Sequence, residues 1–92
     1  MNNATSISII VPVLNEAAQL PASLTSVGPL DESLQLVVVD GGSTDDSLTV
    51  ARRCAAETLV SPIRQRAAQM NLGADFAKGD VLLFLHADTR LP

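Results

Sequence analysis

A chain of 92 residues that is 47% hydrophobic and 17% charged is one domain at most, and its apolar content excludes intrinsic disorder. Burying about 60 to 65% of its unfolded surface, a fold of this size has little stability to spare. Six Lys or Arg against ten Asp or Glu leave a formal charge of −4 and no basic stripe, which argues against nucleic acid as a partner. The single cysteine, Cys54, excludes an intrachain disulfide and reads as a small buried helix residue.

Ile7 to Val13 is apolar and β-branched, which predicts a first strand. Pro12 cannot donate to a central ladder, so that strand is expected to finish there or to lie beside a bend, with Asn15 and Glu16 in the loop beyond. No Lys or Arg precedes this run, and it is too short for a membrane span, so a soluble cytoplasmic protein without membrane association is expected. Ala17, Leu20, Leu24 and Val27 recur at spacings of a helix face, Pro21 suits a first turn, and Gly28 with Pro29 stops the helix.

Leu36 to Asp46 reads L-V-V-V-D-G-G-S-T-D-D, a strand buried on both faces followed by a tight strand-to-helix turn. Asp40 ends the strand, Gly41 and Gly42 allow a bend or a close approach to a ligand, and Ser43 with Asp46 has the spacing of a helix capping box. Next, Leu48, Ala51 and Ala55 mark one side of a helix, with Arg52, Arg53 and Glu57 toward water. Leu59 to Ser61 is a candidate short strand, Pro62 to Gln65 a connector carrying Arg64, and Ala67, Met70, Ala74 and Ala77 a further helical face that ends at Lys78 and Gly79. Val81 to Leu85 is another continuous apolar run, and it delivers His86, Ala87 and Asp88.

The order β-α-β-α-β-α-β predicts an α/β fold, a mainly parallel sheet with flanking helices. In such sheets ligands bind beyond the carboxyl ends of the strands where strand order reverses, and Asn15, Glu16, Asp40, His86 and Asp88 all fall at those ends. Neither G-x-G-x-x-G nor G-x-x-x-x-G-K-[ST] occurs, so the dinucleotide fingerprint and the P-loop are both unsupported.

Ile9 to Glu16 (I-I-V-P-V-L-N-E), Val37 to Asp45 (V-V-V-D-G-G-S-T-D) and Leu83 to Asp88 (L-F-L-H-A-D), with Gln69 to Gly73 (Q-M-N-L-G) before the last, resemble the ordered motifs of family 2 glycosyltransferases. The resemblance implies the Rossmann-like N-terminal half of a GT-A fold, with residues 1–92 as the nucleotide-sugar-binding portion, cut just after the D-x-D-like motif. It implies a nucleotide-diphosphate sugar as donor, a UDP-sugar being favoured, an acceptor that the sequence does not name, and a divalent cation, Mg2+ or Mn2+. Carried over residue by residue, it implies donor contacts from Pro12, Leu14, Glu16, Asp40, Gly42, Arg66 and His86, and a metal ligand in Asp88. The chain departs from the family pattern at Leu14, where many relatives have an aromatic residue, at Gly41 in place of a second acid, at His86 in place of the first acid of D-x-D, and at Ala68, where an arginine is frequent and Arg66 stands nearby.

Independently of that resemblance, a hard cation held by one carboxylate and by phosphate oxygens suits a diphosphate leaving group. No residue is assigned as the catalytic base. Two other readings remain open, a non-catalytic nucleotide-binding or interaction module and a receiver-like phosphoacceptor domain, and a homo-oligomer is compatible with each. The phosphoacceptor reading fits poorly, because no paired acids follow the first strand.

Overall fold

In a computed structural model, described here for residues 6–28, 33–54 and 57–87, four strands alternate with three helices. They are β1 (Ile7–Val13), α1 (Leu20–Ser26), β2 (Leu34–Asp40), α2 (Ser47–Arg53), β3 (Glu57–Val60), α3 (Arg66–Phe76) and β4 (Val81–Phe84). The strands form one sheet in the order β3-β2-β1-β4, and every pairing is parallel, with Ile10 opposite both Val37 and Phe84. No helix among the described residues is long and apolar enough to cross a membrane.

The chain steps from β1 to β2 to β3 in one direction, then crosses back over β1 to lay down β4 on its other side. Because parallel crossovers are right-handed, reversing direction moves the connecting helix to the opposite face of the sheet. Accordingly, α1 and α2 pack on one face, over Ile9, Val11, Val13, Leu36 and Val38, while α3 covers Ile10, Val37 and Val39 on the other. The β-branched residues of β1 and β2 are therefore buried on both faces, which is why those strands read as unbroken apolar runs rather than as alternating ones.

β4 behaves differently. Val81, Leu82, Leu83 and Phe84 remain between 41% and 46% exposed, because the described helices pack mainly over β1 to β3 rather than over this strand. Pro12 accounts for how short its pairing is. Val13 accepts on the β2 side, from the Gly41 N–H, and Ile10 accepts on the β4 side, from the Leu85 N–H at 2.9 Å. Alternate residues face alternate neighbours, so residue 12 faces β4 and, as proline, has no N–H to give it. β1 continues to Val13 against β2, whereas its ladder to β4 ends at the Ile10–Phe84 pair and residues 85–87 leave the sheet. The buried Ser23 hydroxyl of α1 then donates to the Ala87 carbonyl and fixes that exit.

Several expectations need correction. α2 begins at Ser47, so Ser43 is not its N-cap and the capping box is absent; Ser43 instead donates its hydroxyl to Asp40 within the turn. α2 stops at Arg53, half-buried Cys54 serves as its C-cap, and Glu57 belongs to β3, where it accepts from the Gln35 amide; Ala55 lies outside the described residues, as does Pro29. The strand expected at Leu59 starts two residues earlier. On α3 the most buried residues are Gln69 and Gly73, with Leu72, Ala74 and Ala77 beside them, while Ala67 is exposed. This helix approaches the sheet so closely that its contact row needs a residue without a side chain.

A Cβ at Gly73 would lie 2.5 Å from Ile10 Cγ2 and 3.1 Å from Val39 Cγ2, both on fully packed strands. Gly73→Ala is therefore expected to destabilise the chain by about 1–3 kcal/mol through overpacking, although alanine is the better helix former. Urea unfolding reads this directly, and an unchanged or raised midpoint would show that α3 can move away freely.

Candidate functional site

The carboxyl ends of β1 and β2 lead into two loops that hydrogen bonds join into one unit. Asn15 has a left-handed backbone (φ 53°), a conformation that asparagine tolerates better than most residues. Its N–H donates to Ser43 Oγ at 2.9 Å, and its side-chain oxygen accepts from the N–H groups of Thr44 (2.8 Å) and Asp45 (3.3 Å). The Glu16 N–H donates to Ser47 Oγ and the Ala17 N–H to the Asp45 carboxylate, while Glu16 Oε1 turns back to accept the Leu14 N–H at 3.1 Å. The first loop is thus held by the N-terminal approach to α2, and neither is built alone.

Asp40 is 4% exposed and organises the second turn. Its Oδ2 accepts the N–H groups of Gly42 (2.9 Å) and Ser43 (2.8 Å), and its Oδ1 accepts the Ser43 hydroxyl. A carboxylate has about four acceptor positions, so little of this one is left for a ligand. Gly42 supplies the positive φ (100°) that the turn requires, and its carbonyl accepts from the Arg64 guanidinium at 3.0 Å.

Two hollows open at this end of the sheet. One, of ≈ 190 Å³, lies among Leu14, Glu16, Arg64 and Gln69. The other, of ≈ 170 Å³, lies among Met70, Phe84, Leu85 and His86. Pro12 and Arg66 line both, so they are lobes of a single cleft that straddles the reversal of strand order between β1 and β4. Arg66, at the start of α3, reaches His86 after β4 and donates to its Nδ1. A guanidinium has donors only, so that imidazole nitrogen is the acceptor. The pair closes one wall of the cleft, and Arg64 and Arg66 place two permanent cations beside it on a chain of net negative charge. A larger hollow of ≈ 270 Å³ lies at the amino ends of the strands, where Gln35 bridges Ser8 and Glu57 and their polar groups satisfy one another.

Of the donor contacts expected from the sequence, Pro12, Leu14, Glu16, Arg66 and His86 come together in the cleft, and Asp40 and Gly42 form the turn beside it. Asp88, the expected metal ligand, lies outside the described residues. Among the described residues no group of three or more His, Cys, Asp or Glu side chains could hold a metal ion. Periodicity assigned Met70 to the core, but it lines the cleft with Phe84. From the sequence Gln69 reads only as the first residue of the Q-M-N-L-G motif, with no role assigned to its side chain; the available signal is a polar residue four positions before a helical glycine.

The fold defines a doubly wound α/β unit of the GT-A type, with a cleft at its strand-order reversal. The chain belongs to glycosyl transferase family 2, whose model matches residues 8–92. It is 44% identical over 91 residues to a PGL/p-HBAD biosynthesis glycosyltransferase of Mycobacterium bovis, covering 91% of this chain and 36% of that protein. Glucosyl-3-phosphoglycerate synthase from Mycobacterium tuberculosis, crystallised with Mn2+, UDP and glucosyl-3-phosphoglycerate, superposes with a TM-score of 0.78 at 27% identity, over 95% of this chain and 36% of that one. A mannosyltransferase from Pyrobaculum calidifontis in complex with GDP-Man and Mn2+ gives a TM-score of 0.85 at 25% identity, over 97% of this chain and 31% of that one. The chain thus spans about a third of the length of these relatives.

The joined loops carry a titration. Asp45 Oδ1 accepts from the hydroxyl and the N–H of Ser47, and its Oδ2 accepts the Ala17 N–H; the Ser47 hydroxyl bond is the main cause that holds this carboxyl below the ordinary aspartate value. A depressed folded-state pKa gives stability that is complete above the ordinary value, near about pH 4, and is lost as pH falls through the folded value. Thermal unfolding across pH 2–7 is expected to show a shallower acid limb for Asp45→Asn than for the native chain; parallel acid limbs would mean that the carboxylate contributes nothing.

Proposed function

We propose that this chain is the donor-binding part of a glycosyltransferase that transfers a sugar from a nucleotide-diphosphate sugar, preferentially a UDP-sugar, to an acceptor hydroxyl. The observation that carries this reading is the cleft at the strand-order reversal, walled by Pro12, Arg66 and His86 and flanked by the Asp40–Gly42 turn, in a family 2 chain. Relatives crystallised with UDP and with GDP-Man support a nucleotide donor of this kind. The base and ribose would lie against Leu14 and the Asp40–Gly42 turn, and Arg66 would meet the diphosphate.

A hard divalent cation, Mg2+ or Mn2+, would take its protein ligand from the carboxylate of Asp88, which lies outside the described residues, and such ions need only one or two protein carboxylates besides phosphate oxygens and water. When bound, the cation would offset charge on the departing diphosphate. This chain's own residues would bind and orient the donor. Among the described residues lining the cleft Glu16 is the one carboxylate, and it bonds its own loop, while Asp40 and Asp45 are committed to their turns. The 92-residue chain is therefore expected to bind donor without turnover, and sustained sugar transfer by the pure chain would overturn that assignment.

Calorimetry with UDP, in Mn2+ and in chelator, tests the site. Asp88→Asn should remove the metal-dependent gain in affinity, while Asp40→Asn should weaken binding about tenfold or more under both conditions. GDP in place of UDP should bind more weakly. Equal binding with metal and with chelator would remove Asp88 from the site, and no difference between the nucleotides would remove the UDP preference.

The open edge of β4 also favours self-association. Among the described residues β4 pairs with β1 alone, and an exposed apolar edge of this kind offers backbone N–H and C=O groups to a second strand. Sedimentation at rising concentration is expected to show dimers of the native chain and monomers of Leu83→Lys, and a native chain that stays monomeric would rule this out.

A further inference from the structure

The carboxamide of Gln69 occupies a position that the donor reading does not use. It is 5% exposed, and Nε2 lies 3.0 Å from the Val13 carbonyl and 2.9 Å from the Val39 carbonyl. Two acceptors at those distances fix that end of the side chain as the NH2 group, with one N–H for each. Val13 is the last residue of β1, immediately before Leu14 to Glu16. Val39 precedes Asp40 and the Gly41–Gly42 turn. Gln69 itself lies one turn into the helix that starts with Arg66. One side chain therefore ties together the three segments that carry the proposed donor contacts.

Gly41 completes the arrangement. Its N–H donates to the same Val13 carbonyl at 2.8 Å, and a Cβ on it would lie 2.9 Å from Oε1, 3.0 Å from Cδ and 3.1 Å from Nε2 of Gln69. A side chain at position 41 and the carboxamide of residue 69 thus compete for one volume.

We infer that Gln69 is a positioning residue of the donor site: its carboxamide sets the spacing between the β1 loop and the β2 turn, and Gly41 lacks a side chain to make room for it. The functional half of this inference rests on the donor reading above. The structural half does not.

The test uses the whole chain with Gln69→Met, which keeps the length and removes both donors. Ala51→Gly, on the opposite face of the sheet, is the control for general loss of stability. Amide exchange at Gly41 should accelerate about tenfold or more in Gln69→Met relative to the control at equal global stability, as expected for the loss of buried hydrogen bonds. Gly41→Ala should be clearly destabilising in the native background and close to neutral in Gln69→Ala. UDP affinity, measured well below the unfolding midpoint, should fall about tenfold in Gln69→Met and remain native in the control. Gly41 exchange no faster than in the control, or an equal cost of Gly41→Ala in both backgrounds, would overturn the inference. Unchanged UDP affinity in Gln69→Met, with native binding intact, would overturn its functional half alone. A native chain that binds no UDP would instead remove the donor reading, while the exchange and stability measurements, which need no ligand, still decide the role of Gln69.

Discussion

The carbonyl of Val13 accepts two hydrogen bonds, from the Gly41 N–H and from the Gln69 amide, and the arrangement of this end of the molecule depends on it. The first bond extends the parallel ladder of β1 and β2 to its last rung, so the residues that follow begin at the same height. The second brings the start of α3 against both strands. From there the loops have few ways to run, because Asn15, Ser43, Asp45 and Ser47 use their short polar side chains to satisfy each other's backbone groups. Such bonds are individually modest, but a buried carbonyl left without a donor is costly, and that asymmetry keeps the arrangement unique.

The cleft itself arises from topology. Reversing the order of strands next to β1 sends α1 and α2 to one face and α3 to the other, and it leaves a crevice where the crossovers diverge. Pro12 widens that crevice by ending the β1–β4 ladder at Ile10, three residues before the end of β1, which releases the chain to present His86 toward Arg66. The alternation of side chains then places Leu85 and Ala87 in the core on the α1 side. A proline that weakens a central strand is tolerated here because the rung it removes lies where the sheet opens.

Charge is distributed to the same effect. The chain is acidic as a whole, yet the connector from β3 to α3 carries Arg64 and Arg66 to the cleft, one bonded to the turn carbonyl of Gly42 and the other to His86. Their neutral partners orient both guanidinium groups without cancelling their charge. An anionic ligand would meet two oriented cations there, whereas at the amino ends Ser8, Gln35 and Glu57 are occupied with one another.

The amino-acid sequence by itself determined the alternation of strands and helices, the parallel sheet, the family and the segments that meet in the cleft, because each rests on local patterns: apolar runs in β1 and β2, helical spacing at Leu20 and Leu24, and a D-G-G-S turn. Only the tertiary structure decided what those residues do. Asp40 looked available to a ligand, yet its carboxylate is largely consumed by Gly42 and Ser43. The four apolar residues of β4 looked like another interior strand, yet their burial depends on which helices lie over them, and the described helices pack mainly over β1 to β3. Gln69 carried no strong signal because its partners are the main-chain carbonyls of residues 13 and 39, and any sequence there presents a carbonyl. A side chain that recognises backbone leaves no complementary residue to read, so its role becomes visible only when the strands and the helix are packed together.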